Sequence, residues 1–184
     1  MNDRIVSDEL VYRGRVVDVH AVDLERPDGS LQRRDLLRYP QAVVILPILD
    51  DSRVVLIQND RYAVDERLLE LPAGGIDPGE TPEQAAPREL AEETGYTAGS
   101  WEKLGSFVTC PGTSDEVMHA FVARDLSPGD QDLQAGERIR VELVEMAELR
   151  RRMLDGRLHD GKTMATLGLY WLGCDEKPNR MNEG

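Results

Sequence analysis

Two nearly continuous apolar runs constrain this chain most: QAVVILPIL at 41–49 and RVVLIQND at 53–60, parted by Asp50-Asp51-Ser52. A strand with one solvated face alternates apolar and polar residues, whereas a strand covered on both faces does not. The pair therefore predicts two central strands with a layer on each side. RLLELP, EKLGSFVTC, EVMHAFVAR and IRVELV read as further strands. EMAELRRRMLDG reads as a helix closed by Gly156, and KTMATLGLYWL as a final apolar helix. Strands with helices interspersed predict an α/β/α sandwich around a mixed β-sheet.

The N-terminal residues follow another pattern. Arg15 to Leu24 alternates like a half-buried strand, Asp28-Gly29 signals a hairpin, and LQRRDLLRY returns as a second strand. Such an antiparallel ribbon is too small to be stable alone. The chain thus divides into a ribbon at 1–40, expected to pack on the rest or on a second copy, and a main domain at 41–184.

With 184 residues, 40% hydrophobic and 31% charged, the chain is long enough for one core and reads as globular. A formal net charge of −13 disfavours nucleic acid or a membrane as partner. It permits an anionic substrate, because a divalent cation can bridge carboxylates to phosphates. The opening MNDRIVSDEL has no apolar signal region, and no apolar run approaches the ~20 residues of a membrane span. Cys110 and Cys174 stand far apart in no C-x-x-C pattern and read as reduced thiols of a cytoplasmic protein. His20, His119 and His159 have no metal spacing and read as structural.

The chemistry concentrates in PAGGIDPGETPEQAAPRELAEETGY, residues 72–96. At ~100° per helical residue, Glu93 lies about 40° to one side of Glu89 and Glu92 about 60° to the other. Three carboxylates on one face repel mildly and need compensation. Arg88, four residues before Glu92, is one source, and a hard divalent cation is the other. The Gly74-Gly75 pair allows close approach of a ligand to the backbone. A solvated helix face would explain RELAEE alone, but not that glycine loop beside it.

Gly74, Glu80, Arg88, Glu89, Leu90, Glu92, Glu93, Gly95 and Tyr96 resemble the Nudix box, Gly-x5-Glu-x7-Arg-Glu-U-x-Glu-Glu-x-Gly-U, with Tyr96 a loose fit at the last apolar position. The resemblance implies a Nudix hydrolase of Nudix fold, using Mg²⁺ or Mn²⁺ on nucleoside diphosphates linked to another moiety. Glu89, Glu93 and the carbonyl of Ala73 match metal ligands. Glu92 matches a carboxylate that binds metal or activates water, and Arg88 the arginine that orients the glutamates.

LLELPAGGID, CPGTSDE with Pro111, and GERIRV extend the resemblance to the branch that hydrolyses ADP-ribose. It implies Glu137 as a mobile catalytic glutamate, with Glu92 the alternative general base. It implies Arg61 as a contact to substrate phosphate and Glu116 as a substrate contact; Glu70 is placed with them as a substrate-binding residue, with support of the box loop as its other reading. The ribbon is similar to a segment exchanged across a homodimer. Other sugar nucleotides, such as GDP-mannose or UDP-glucose, and a non-catalytic ADP-ribose sensor are the rival readings.

Pro87 is the anomaly. Thr81 reads as an N-cap, with Pro82 first in the helix and Gln84 completing a capping box. Pro87 then falls in the helix interior, where proline costs ~3 kcal/mol. Either the turn at 83–87 is kinked or loosened, or the regular helix begins nearer Gln84. The ring lies about 160° from Glu89, away from the carboxylate face.

Overall fold

The computed structural model describes residues 3–134, 136 and 138–175. They contain strands β1 (Arg4–Arg13), β2 (Asp18–Glu25), β3 (Leu31–Arg38), β4 (Ala42–Pro47), β5 (Arg53–Arg61), β6 (Glu66–Glu70), β7 (Ala73–Gly75), β8 (Thr97–Val108), β9 (Val117–Ser127) and β10 (Ile139–Glu145). The helices are α1 (Pro82–Thr94), α2 (Met146–Leu154) and α3 (Gly161–Asp175). The backbone forms two compact units, one of residues 1–41 and 108–117, the other of 42–107 and 118–184.

In the larger unit the apolar runs become β4 and β5. Every residue of β4 is buried, as are Val54 to Ile57 of β5. One sheet has the order β7-β4-β9-β8, and a second the order β10-β5-β6. β4 runs parallel to β9, with Ala42 opposite Met118, and antiparallel to β7, with Val44 opposite Ala73. The β4-containing sheet is therefore mixed. Successive residues of β4 point to opposite faces, and each face has its own core. Val44 and Leu46 join Leu56, Leu149, Leu158 and Leu167, on the side of α2 and α3. Val43 and Ile45 join Ala85, Ala86 and Leu90 of α1. Helices on both faces make the α/β/α sandwich.

The smaller unit has three strands, in the order β1-β2-β3, where the sequence pattern predicts two. β1 carries no buried residue, so its alternation is never enforced by a core. Bulges between Ile5 and Ser7 and between Leu10 and Tyr12 shift its register further. The β2–β3 turn forms around Asp28-Gly29. Gly29 takes a φ of 79°, and Asp28 Oδ1 accepts the Ser30 N–H at 2.9 Å. The segment 108–117 joins through Leu37 N–H to the Thr113 carbonyl at 2.8 Å, and through Arg38 Nη1 to Asp115 Oδ2 at 2.9 Å.

Helix α1 is continuous from Pro82 to Thr94. A start nearer Gln84 is not found, nor is the helix interrupted at 83–87. Gln84 Oε1 accepts the Thr81 N–H at 2.9 Å, which fixes the first turn, and Gly95 ends the helix at a φ of 75°. Pro87 is exposed and so is Glu83. The hydrogen bond that the Glu83 carbonyl loses at residue 87 is thus lost on an exposed stretch of the helix, where water can replace it. No helix among the described residues is long and apolar enough to cross a membrane.

Candidate active site

The apolar stripe Ala85-Ala86-Leu90 seats α1 on β4, and this orientation turns the other face toward β7. Glu89 and Glu93 are buried there, each 5% exposed, while Glu92 is partly exposed. Glu93 Oε2 accepts the Ala73 N–H at 2.8 Å. The Glu89 carboxylate lies so close over the loop that a Cβ added to Gly74 would fall on it. Only glycine leaves that space.

Arg88 gathers the acidic groups. Its Nε and Nη2 donate to the two oxygens of Glu80 at 3.0 and 2.8 Å. Nη1 donates to Glu89 at 2.7 Å and Glu92 at 3.3 Å, and Nη2 also donates to the Gly75 carbonyl at 2.9 Å. Hydrogen bonding to Glu80, then Glu89, raises the Arg88 pKa well above its ordinary value. The same bond from Arg88 holds the Glu80 carboxyl below its usual range. Glu80 thus anchors the arginine that holds Glu89 and Glu92. The spacing of eight residues hides this in the sequence, because the partners meet only when the loop before α1 folds back.

Arg61, at the end of β5, donates from Nε and Nη2 to the two oxygens of Glu70 at 2.7 and 2.6 Å. This bidentate pair raises the Arg61 pKa, with smaller contributions from Asp160 and Glu93. Glu70 is fully buried and is also paired with Lys162 of α3. Arg61 borders a cavity of about 370 Å³ lined also by Asn59, Asp60, Tyr62 and Arg138. Sequence reading missed Lys162 and Asp160, which lie 92 and 90 residues from Glu70 with no local signal. Glu116 belongs to the other compact unit, where its carboxylate accepts a hydrogen bond from Thr109 Oγ1 at 2.5 Å. Glu137 lies outside the described residues.

The three histidines take separate places. His20 bonds Asp8 at 2.5 Å and His159 bonds Glu66 at 2.9 Å, while His119 lies in β9 with its pKa lowered by burial.

Four carboxylates against one guanidinium leave this face of α1 with a formal surplus of negative charge. Among the described residues no three acidic, His or Cys groups already close on one point. Arg88 and the Ala73 N–H hold the carboxylates instead, and the Gly74 cradle keeps one of them against backbone. Hard oxygen donors in surplus suit a hard divalent cation, and enzymes that bring such cations to phosphate groups are the class to which this arrangement conforms. The NUDIX domain model matches residues 38–167, and the chain belongs to the Nudix family. It is a Nudix hydrolase, of a family that is generally dependent on a divalent metal.

Several relatives cover nearly its whole length. An ADP-ribose pyrophosphatase of Bacillus subtilis (strain 168) is 33% identical over 165 residues, 89% of each chain. A GDP-mannose pyrophosphatase of Klebsiella pneumoniae (subspecies pneumoniae) is 30% identical, covering 91% of this chain and 90% of its own. A crystal structure of an ADP compounds hydrolase superposes with a TM-score of 0.85 at 28% identity, over 97% of both chains.

Proposed function

We propose that this Nudix hydrolase cleaves the pyrophosphate of nucleoside diphosphate sugars, with ADP-ribose as the preferred substrate and Mg²⁺ as the metal. The products are AMP and ribose 5-phosphate. The observation that carries the reading is the buried pair Glu89–Glu93, fixed against the glycine loop by Arg88 and the Ala73 N–H. The Bacillus relative and the structural neighbour, both named for ADP compounds, support the choice of base.

Glu89, Glu93, Glu92 and the Ala73 carbonyl would hold the cation, and Mn²⁺ suits the same oxygen donors. When bound, the cation supplies neutralisation of the pyrophosphate charge and polarisation of its phosphorus. The chain's own groups do the rest. Arg61 binds a phosphate oxygen and Glu116 contacts the substrate. Glu137, or Glu92 in its place, accepts a proton from the attacking water as the new P–O bond forms. The anhydride P–O bond breaks and its electron pair leaves on the second phosphate. Arg88 keeps the carboxylates in register during this exchange.

The enzyme works as a homodimer joined through the ribbon at 1–40. It acts in the cytoplasm on small molecules, with neither nucleic acid nor a membrane as partner. Cys110 and Cys174 are both free thiols, which suits a reducing compartment.

Product analysis by anion-exchange chromatography tests the substrate. ADP-ribose, GDP-mannose and UDP-glucose are each incubated with enzyme and Mg²⁺. Release of AMP at the highest kcat/KM of the panel is expected. A tenfold preference for GDP-mannose would move the assignment to the Klebsiella-like activity, and loss of no substrate at all would remove it.

A further inference from the structure

An arginine that must attract a phosphate cannot do so well when one carboxylate cancels it. Arg61 is in that position. Two of its donors are taken by Glu70, which has no solvent contact, and a bidentate pair of this kind has no net charge. Glu70 is shared, however. Its Oε2 also pairs with the Lys162 ammonium, which is 14% exposed and sits in the first turn of α3. One buried carboxylate thus faces two cations.

Lys162 is itself held in place. Its Nζ pairs with Asp160 Oδ2 at 3.0 Å. Asp160 Oδ2 also accepts the Thr163 N–H at 3.0 Å and the Thr163 hydroxyl at 2.6 Å, which caps α3. Thr163 Oγ1 in turn accepts the Leu71 N–H at 2.8 Å, next to Glu70 in the chain. The start of α3 is therefore fastened to the strand end that carries Glu70. Asp160 balances part of the added charge, but its carboxylate is engaged by the helix N-terminus, where the dipole offsets it.

We propose that Lys162 is a positioning residue for substrate binding. By sharing Glu70 it fixes the plane of the Arg61 guanidinium and leaves part of the Arg61 charge available to a substrate phosphate. The N–H groups of Arg61 Nη1, which has no partner among the described residues, and the second N–H of Nη2 are the donors left for that phosphate. The inference rests on the reading that Arg61 contacts substrate.

A double-mutant cycle tests both separately. Steady-state kinetics with ADP-ribose and Mg²⁺ are measured for Lys162→Met, Arg61→Ala, the pair, and Lys162→Arg, and calorimetry in EDTA gives the Kd of ADP-ribose for each. Lys162→Met should raise KM and Kd about tenfold while kcat stays within threefold. Lys162→Arg should restore both to within threefold of the parent, and Lys162→Met should add no further loss once Arg61 is Ala. If Lys162→Met does not fold, Lys162→Gln keeps a hydrogen bond to Glu70 without the charge and should show the same rise. An unchanged KM in the Lys162 variants beside a raised KM in Arg61→Ala overturns the role of Lys162 alone. An unchanged KM in Arg61→Ala overturns the reading of Arg61, and the inference with it. Full additivity in the pair overturns action through Arg61.

Discussion

The proposed function gives Glu93 two tasks on one side chain. Oε2 accepts the Ala73 N–H, which ties the glycine loop to α1, and the carboxylate charge is proposed to hold the cation. Glu93→Gln separates these tasks, since an amide oxygen still accepts the N–H but carries no charge. It should lower kcat at least a hundredfold, roughly 2.7 kcal/mol of barrier, with a melting temperature within a few degrees of the parent. Turnover near normal at saturating Mg²⁺ would sink the assignment of Glu93 to the metal. Gly74 has the converse property, being silent chemically and decisive sterically. Its missing side chain is the space the Glu89 carboxylate occupies, so Gly74→Ala must displace either the loop or Glu89. A fall in kcat of ten- to a hundredfold is expected, with weaker Mn²⁺ binding by titration calorimetry. An unaltered Mn²⁺ affinity would show that the cradle is not part of the metal site.

At the scale of elements, α1 is stable through its ends and its buried stripe rather than its middle. Pro87 removes one backbone hydrogen bond on the exposed side. Pro87→Ala should therefore stabilise the protein by about 1–3 kcal/mol, with kcat within twofold, because residue 87 points away from the carboxylates. A lower melting temperature would mean that the proline is matched to a geometry that alanine cannot adopt. The loop before α1 is held by the Glu80–Arg88 pair, and this makes it acid-sensitive. The hydrogen bond from Arg88 holds the Glu80 pKa in the folded protein below its ordinary value of 4.5. Its contribution is thus complete above that value and is lost as pH falls through the lower folded value. In EDTA, thermal melts from pH 6 to pH 3 should show a steeper loss for the parent than for Glu80→Gln, and parallel curves would contradict this. The α1 region was legible from sequence because its signals are local: an N-cap, a C′ glycine, carboxylates at helical spacing. β1 was not legible, since a strand with every residue exposed has no buried face to impose alternation.

For the whole molecule, the same division between local and distant signals explains what the sequence showed. Continuous apolar runs at β4 and β5 announced a covered sheet, and the structure has helical cores on both faces of β4. The link from α3 to Arg61 joins residues 92 apart in the chain, Lys162 and Glu70, and no periodicity reports such a pair. Oligomeric state belongs to this scale as well. On β1, Ile5, Val6, Leu10, Val11 and Tyr12 are 48, 44, 39, 61 and 63% exposed, and β1 is an edge of its three-stranded sheet. An edge strand that displays unpaired backbone groups and several apolar side chains is prone to associate unless something covers it. A second copy of the same strand offers the complementary surface with twofold symmetry. Light scattering after size exclusion should therefore give about twice the chain mass of 20.6 kDa at micromolar concentration. Val11→Lys with Tyr12→Lys, which places charge on the exposed edge, should shift the mass toward one chain while the far-ultraviolet circular dichroism is kept. A parent protein that elutes as a single chain would refute dimerisation through the ribbon. A doubly substituted protein that remains a dimer would place the contact elsewhere on the molecule.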